Sequence, residues 1–198
     1  MKRKHKLSSS AKTTIALFIV GACLILLQLT RLFLVAAGEI PDGWPMDFAV
    51  DSEENLYIGT INRIDVYQDG VLLRRISPPT SRSYRFTIEN DLLIIGCASD
   101  QKGDVFDLEG NALSYGALTY NEVESKANRR SVAVNGHEYR FSGNWGLTPY
   151  VITRDGVEVY RMSTPDYVFN AFPYWGLWAC LSLAAVFLIL MKVSEKWT

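Results

Sequence analysis

The residues that most often carry catalysis or bind metals are scarce in this chain. Its only histidines are His5, in a basic N-terminal tail, and His137, in an Asn-Gly-His turn. A histidine pair for acid–base chemistry or for zinc therefore cannot form in the central part of the chain. The three cysteines are Cys23, Cys97 and Cys180, and the outer two lie in long apolar segments. We expect Cys97 to be a buried thiol and His137 to be a surface side chain.

Carboxylates form two clusters, and calcium sites and glycosidases both use such groups. Neither cluster has the alternating spacing of a calcium-binding loop, and the chain contains neither a glycine-rich phosphate loop nor a Gly-x-Ser-x-Gly elbow. We therefore expect no catalytic residue, no metal ligand and no cofactor. The clusters are Asp51, Glu53 and Glu54, and Asp100, Asp104, Asp107 and Glu109.

Candidate binding residues are basic or aromatic. Four arginines, Arg74, Arg75, Arg82 and Arg85, bracket the segment ISPPTS, where they are suited to an acidic partner or an anionic lipid headgroup. The alternative is a solvated loop beside a strand edge protected by charge. Trp145, in the loop Gly-Asn-Trp-Gly, is either an exposed binding residue or a side chain packed on the sheet.

Two long apolar segments lie near the ends of the chain. As a helix, residues 15–37 would span about 34 Å, which matches the hydrocarbon core of a bilayer. Residues 171–191 contain no acidic or basic side chain, and aromatic residues typical of a membrane interface cluster at their start. We predict a basic tail over 1–14, transmembrane helices over 15–37 and 167–191, a central domain over 38–166 and a tail over 192–198.

Small residues recur every four positions in the second apolar segment, at Gly176, Cys180 and Ala184. Small side chains at this spacing let two membrane helices approach closely. We therefore expect this stripe to pack against a neighbouring helix.

The distribution of charge predicts the orientation in the membrane. Residues 1–12 carry five basic side chains and no acid, whereas residues 38–167 carry 12 basic and 20 acidic side chains. Basic residues beside membrane spans favour the cytoplasm. We expect both termini in the cytoplasm and the central domain outside it, at the cell membrane. The alternatives are a signal peptide cleaved after small residues near Ala37, or a lipid attached at Cys23.

Residues 45–162 carry the alternating pattern of an all-β domain. The pattern repeats in units over about 45–81, 82–118 and 131–162, each with a strand that ends in glycine followed by a hairpin. Four short strands in about 40 residues is the spacing of β-propeller blades. We interpret residues 119–130 as a surface insertion or a short irregular helix. The strand-ending glycines are Gly59, Gly96 and Gly143, and the hairpin turns are predicted at Asp69-Gly70, Glu109-Gly110-Asn111 and Asp155-Gly156.

The first unit, PMDFAVDSEENLYIGTINRIDVYQDGVLLRRI, begins with an apolar-x-Val-Asp segment and continues through Leu-Tyr-Ile to Asn-Arg-Ile-x-Val-Tyr-x-x-x-Gly. In these features residues 45–76 resemble an NHL-type β-propeller repeat. The resemblance implies a scaffold that binds proteins or ligands, and it implies no catalytic residues.

Three units fall short of the roughly four to eight blades of a propeller and leave two sheet edges without a neighbour. A strongly curved open or small closed β-structure, a six-unit ring made by two chains, or a second protein over the edges would each resolve this. A β-sandwich or small barrel is the alternative architecture.

These patterns predict a membrane-anchored module that binds or senses without catalysing a reaction, acting as an accessory subunit of a membrane complex. Its expected partners are the lipid bilayer and a membrane protein or a second copy of the chain. The net charge of −1 argues against a nucleic-acid partner. The alternative is an enzyme at the membrane surface that uses carboxylates or Cys97.

Overall fold

A computed structural model of the chain describes residues 9–39, 41–79, 83–127, 130–144, 148–168 and 170. The N-terminal helical part belongs to one compact unit, and Ile40–Asn170 forms another. From residue 171 onward, the predicted second membrane helix lies outside the described residues.

The N-terminal helix, α1 (Ser9–Ala36), has 28 residues. Its stretch Ile19–Ala36 is long and apolar enough to cross a membrane, a property that signal sequences share. Gly38, with a φ of 74°, ends the helix. The backbone N–H groups of Gly38 and Glu39 bond back to carbonyls of the last turn, which is a Schellman motif. An apolar helix is therefore present where the sequence predicts one.

Ile40–Asn170 contains three four-stranded antiparallel sheets, each a meander in which consecutive strands are neighbours. This confirms the predicted β-rich fold with four strands per unit, and it differs from the two packed sheets of a sandwich. Sheet 1 contains β1 (Asp47–Val50), β2 (Leu56–Gly59), β3 (Ile64–Gln68) and β4 (Val71–Ile76). Sheet 2 contains β5 (Tyr84–Glu89), β6 (Leu92–Cys97), β7 (Lys102–Phe106) and β8 (Ala112–Thr119). Sheet 3 contains β9 (Ser131–Val134), β10 (His137–Asn144), β11 (Thr148–Arg154) and β12 (Val157–Arg161).

The predicted hairpin turns are present in all three sheets. Asp69-Gly70 joins β3 to β4, Asp155-Gly156 joins β11 to β12, and all four residues have the positive φ that tight hairpins need. Between β7 and β8, the side chain of Asp107 accepts hydrogen bonds from the backbone and side-chain N–H groups of Asn111. The turns are thus fixed by short-range contacts.

Sheet 1 lies between the other two sheets. Every residue of β1 is buried, whereas most of the outermost strand β4 is exposed. Strand β1 contacts both β5 of sheet 2 and β9 of sheet 3. Ala49 belongs to an apolar core shared with sheet 2, and Phe48 stacks on Phe141 of sheet 3 with ring centroids 5.7 Å apart. The spatial order is therefore sheet 3, sheet 1, sheet 2, which differs from the order along the chain.

A second helix, α2 (Tyr120–Lys126), lies in the segment predicted to be a surface insertion or a short irregular helix. It is a regular helix, because Thr119 and Glu122 form a complete capping box at its start. It also has a buried anchor, since Val123 is fully buried and α2 packs on sheet 2. The segment is therefore part of the folded core of sheet 2.

Repeated glycines make room for the elements that pack on sheets 1 and 2. A side chain at Gly59 of sheet 1 would come within 2.6 Å of Phe86 of sheet 2. At the equivalent Gly96 of sheet 2, and at its register partner Gly103, the space is taken by Val123 of α2. Sheet 2 therefore packs on one face of sheet 1, and helix α2 packs on the corresponding face of sheet 2.

We predict that Gly103→Ala destabilises the β domain, because the new methyl group would lie 2.7 Å from a methyl carbon of Val123. Overpacking of this kind costs about 1–3 kcal/mol. Val123→Ala removes the obstructing methyl groups, so the double variant should lose less free energy of unfolding than the two single variants together. Urea unfolding of the full chain in detergent, followed by tryptophan fluorescence, measures each loss. Strictly additive losses would contradict the docking of Val123 on Gly103.

Candidate functional site

One side chain, Asn170, holds the two ends of the β domain together. It is 2% exposed. Its Oδ1 accepts a hydrogen bond from the backbone N–H of Gly43 at 3.0 Å, and its Nδ2 donates to the carbonyl oxygen of Pro41 at 3.3 Å. The rings of Trp44 and Tyr167 lie 5.5 Å apart beside it. The segment that precedes β1 and the segment that follows β12 therefore lie side by side.

A cleft of about 380 Å³ opens between sheets 1 and 3. Strand β1 runs from the joined ends of the β domain toward the turn that carries Glu53 and Glu54, which line this cleft. Strand β12 starts beside the cleft, where Glu158 lines it, and runs back toward Asn170. Strands of this length span about 13–16 Å. The cleft therefore lies at one end of these strands, and the joined ends of the β domain lie at the other.

The cleft is polar, and most of its charged side chains are acidic. Its walls come from paired strands, because Leu56 faces Tyr67 in the β2–β3 register and Tyr139 faces Arg154 in the β10–β11 register. Four carboxylates and one guanidinium line it, so negative charge predominates. Sheet 1 contributes Glu53, Glu54, Leu56, Tyr67 and Asp69, and sheet 3 contributes Tyr139, Arg154 and Glu158.

An ion pair joins the two walls of the cleft. The Oε2 atom of Glu54 lies 2.5 Å from Nη1 of Arg154, and the two side chains are 24% and 35% exposed. The hydroxyl of Tyr139 donates to the same carboxylate at 3.2 Å. Burial, with the charge of Glu54, raises the pKa of Tyr139, so the hydroxyl stays protonated at neutral pH and keeps donating. Glu54 is thus fixed by two groups of sheet 3.

Glu54 also has an unusual backbone conformation for a glutamate. Its φ is 66°, in the left-handed region where non-glycine residues other than Asn and Asp are uncommon. The corresponding turns of sheets 2 and 3 place Asn90, Asp91 and Asn135 in this region. Glu54 therefore combines a less favourable backbone conformation with two side-chain contacts to sheet 3.

The inner turns of all three sheets are linked by hydrogen bonds near the cleft. The side-chain amide of Asn135 in sheet 3 donates to the carbonyl oxygen of Ser52 in sheet 1 at 2.9 Å. The hydroxyl of Ser52 donates to the carboxylate of Asp91 in sheet 2 at 2.7 Å. These bonds fix the three turns relative to one another.

An aromatic ring completes one side of the cleft. Tyr67 lines the cleft and contacts Tyr160 of sheet 3, with ring centroids 5.1 Å apart. Burial, with the nearby carboxylate of Asp65, raises the pKa of Tyr67 to about 12. The phenol is therefore neutral at physiological pH.

The predicted arginines contact different partners within the β domain. Arg74 donates to the hydroxyl of Tyr57 at 3.1 Å, and Nε of Arg75 lies 3.6 Å from the carboxylate of Asp65. Arg85 donates to the backbone carbonyl oxygen of Met46, just before β1, at 3.3 Å. Among the described residues, these arginines do not meet at one shared site.

The other predicted contact residues fall outside the part of the chain that the structure describes. They are Arg82, Trp145, Gly176, Cys180 and Ala184.

The side chains with nucleophilic or basic chemistry lie apart. Cys97 in sheet 2 is 3% exposed, and burial, with the charges of Asp104 and Asp100, raises the pKa of its thiol. His137 belongs to sheet 3, where its Nδ1 lies 2.5 Å from the carboxylate of Asp155. Within the described residues, no group of three or more His, Cys, Asp or Glu side chains is arranged to hold a metal ion.

Most residues of the cleft were not singled out by the sequence. Tyr67, Tyr139, Arg154 and Glu158 line it because sheet 3 packs on sheet 1, although sheet 3 follows sheet 2 along the chain. An alignment of the three inner turns offers one signal, because Glu54 stands where the other turns have Asn or Asp.

Comparison with known protein families finds no match to this chain. Comparison with curated proteins finds no match either. The resemblance of residues 45–76 to an NHL-type repeat therefore stays a prediction.

We predict that Glu54 and Arg154 are energetically coupled. A double-mutant cycle with Glu54→Gln and Arg154→Gln, measured by urea unfolding, should give a coupling free energy of about 0.5–1 kcal/mol. The value is modest because the pair is partly exposed. Added salt should reduce this coupling by screening the charges.

A matched pair within one sheet provides the control. Glu138 and Arg140 form an ion pair in sheet 3 with side chains 48% and 67% exposed. The coupling free energy from this second cycle should be smaller than that of the Glu54–Arg154 cycle, since exposed ion pairs contribute little. Equal coupling in the two cycles would contradict a role for Glu54 in joining sheets 1 and 3.

Proposed function

We propose that this chain is a membrane-anchored binding module. Helix α1 and a second helix over residues 167–191 hold it in the cell membrane, and the β domain lies outside the cytoplasm. It binds or senses without catalysing a reaction, as an accessory subunit of a membrane complex. The length and composition of α1 support the first anchor, and the basic N-terminal tail supports the orientation.

The placement of the two ends of the β domain is the observation that carries this proposal. Asn170 binds the segments that enter and leave the domain, so one region of the domain takes both attachments. The cleft between sheets 1 and 3 opens at the other end of strands β1 and β12. In such a domain the cleft lies at the end opposite the two segments that connect the domain to the rest of the chain.

The chemistry of the cleft supports binding over catalysis. The carboxylate of Glu54 is engaged by Arg154 and Tyr139, and both cleft tyrosines keep their hydroxyl protons at neutral pH. The alternative, a membrane-surface enzyme using carboxylates or Cys97, has less support. Cys97 belongs to sheet 2, which does not line this cleft, and a buried thiol with a raised pKa is a poor nucleophile.

The proposal includes three propeller-blade-like units in an open arc. Helix α2 supports this, because it covers the outward face of sheet 2 where a further blade would pack. At the other end of the arc, the face of sheet 3 opposite Phe141 is mainly polar and carries Arg140, Ser142 and Thr153, with one apolar residue, Val151, beside Ser142. Repeat arrays end on polar or covered faces of this kind. These two ends favour an open arc over a six-unit ring of two chains.

Site-specific photo-cross-linking tests the proposed binding end. Benzoylphenylalanine is introduced at Gln68, which lines the cleft, and at Leu113, an exposed residue of sheet 2, as the matched control. After irradiation of intact cells, mass spectrometry of the purified full chain should show an adduct of defined mass from position 68 and none from position 113. The same pattern from both positions, or no adduct from position 68, would contradict the proposal.

A further inference from the structure

We infer that the cleft between sheets 1 and 3 recognises an organic cation, a primary ammonium or guanidinium group. This inference rests on the proposed function and names the chemistry of its ligand. It follows from the charges, the rings and the volume of the cleft.

The cleft has more negative charge than its own cations neutralise. Glu54 pairs with Arg154, and Glu158 pairs with Arg161. For the remaining two cleft carboxylates, Glu53 and Asp69, no ion pair to another described residue is found. A cation that enters the cleft therefore meets two carboxylates without displacing an existing partner.

The fold brings these two carboxylates to one end of sheet 1. Leu56 of β2 and Tyr67 of β3 are register partners. Glu53 precedes Leu56 by three residues, and Asp69 follows Tyr67 by two, so both turns extend beyond the same end of the paired strands. Both residues line the cleft.

The neutral side chains of the cleft suit the organic part of such a ligand. Tyr67 lines the cleft with a half-buried ring, and the buried side chains of Tyr139 and Leu56 lie beside it. An aromatic face attracts an ammonium or guanidinium group, and an apolar side chain packs against its carbon stem. Carboxylates combined with the ring of Tyr67 therefore favour a cation with a carbon skeleton.

The arrangement of the carboxylates argues against a metal ion as the ligand. A calcium ion needs about six to eight oxygen ligands at short distance. Among the described residues, no three acidic, histidine or cysteine side chains come together in that way. The cleft volume of about 380 Å³ instead lies in the range of small-molecule sites. Charges spread around such a space match an extended cation better than a single ion.

Isothermal titration calorimetry on the full chain in detergent micelles tests this inference. The probes are 1,5-diaminopentane, a short lysine-containing peptide and calcium chloride. We expect one or both amine probes to bind, and the probe that binds more tightly identifies a free amine or a protein side chain as the source. In the double variant Glu53→Gln/Asp69→Asn, binding should weaken by about tenfold, and added salt should weaken it in the parent chain.

A matched variant distinguishes recognition from general attraction to an acidic domain. Asp100→Asn/Glu109→Gln removes two exposed carboxylates from sheet 2 and should leave the affinity unchanged. Tyr67→Phe keeps the ring and should retain binding, whereas Tyr67→Leu should weaken it.

Three results would overturn the inference: equal weakening in the two double variants, tighter binding of calcium than of either amine, or no binding of either amine. If the amines fail to bind while position 68 still cross-links selectively, the inference falls and the proposed function stands. If position 68 also fails to cross-link, both fall.

Discussion

Both faces of strand β1 must be covered, and the arrangement of the β domain depends on this constraint. Successive residues of a strand point to opposite faces, yet Phe48 and Ala49 are both buried. Phe48 stacks on Phe141 of sheet 3, while Ala49 joins the core shared with sheet 2. A four-stranded sheet with two apolar faces needs a neighbour on each. Sheet 1 therefore has to lie between the other two.

The central position of sheet 1 creates the cleft and leaves sheet 2 with one face to cover. Because sheet 3 packs on sheet 1, Arg154 meets Glu54 across a sheet boundary. Among the described strands no further sheet packs on the outer face of sheet 2, and Val123 of helix α2 fills the space over Gly96 and Gly103. One packing constraint thus accounts for both the recess and the helix.

The sequence predicts the parts of this fold that depend on neighbouring residues. Asp69-Gly70 and Asp155-Gly156 favour positive φ by themselves, so the hairpins and the four-strand units follow from local pattern. The order of the sheets depends on contacts between distant residues, such as Tyr139 with Glu54, 85 positions away. Residues 119–130 are predicted only as a surface insertion or a short irregular helix, because a seven-residue helix with a single buried anchor has too short a periodicity to reveal its packing. The cleft also depends on contacts between residues that are far apart in the sequence, so local pattern does not predict it.

We propose a domain that is attached at one end and carries its recess at the other, outside the cytoplasm. Labelling of intact cells with a membrane-impermeant maleimide tests this most directly, in a full-length chain that carries Cys23→Ser, Cys180→Ser and Asp69→Cys. The account predicts that the thiol at position 69 reacts in intact cells, while the buried Cys97 reacts only after the domain is unfolded. Labelling at position 69 only after the cells are broken would place the cleft in the cytoplasm and contradict the account.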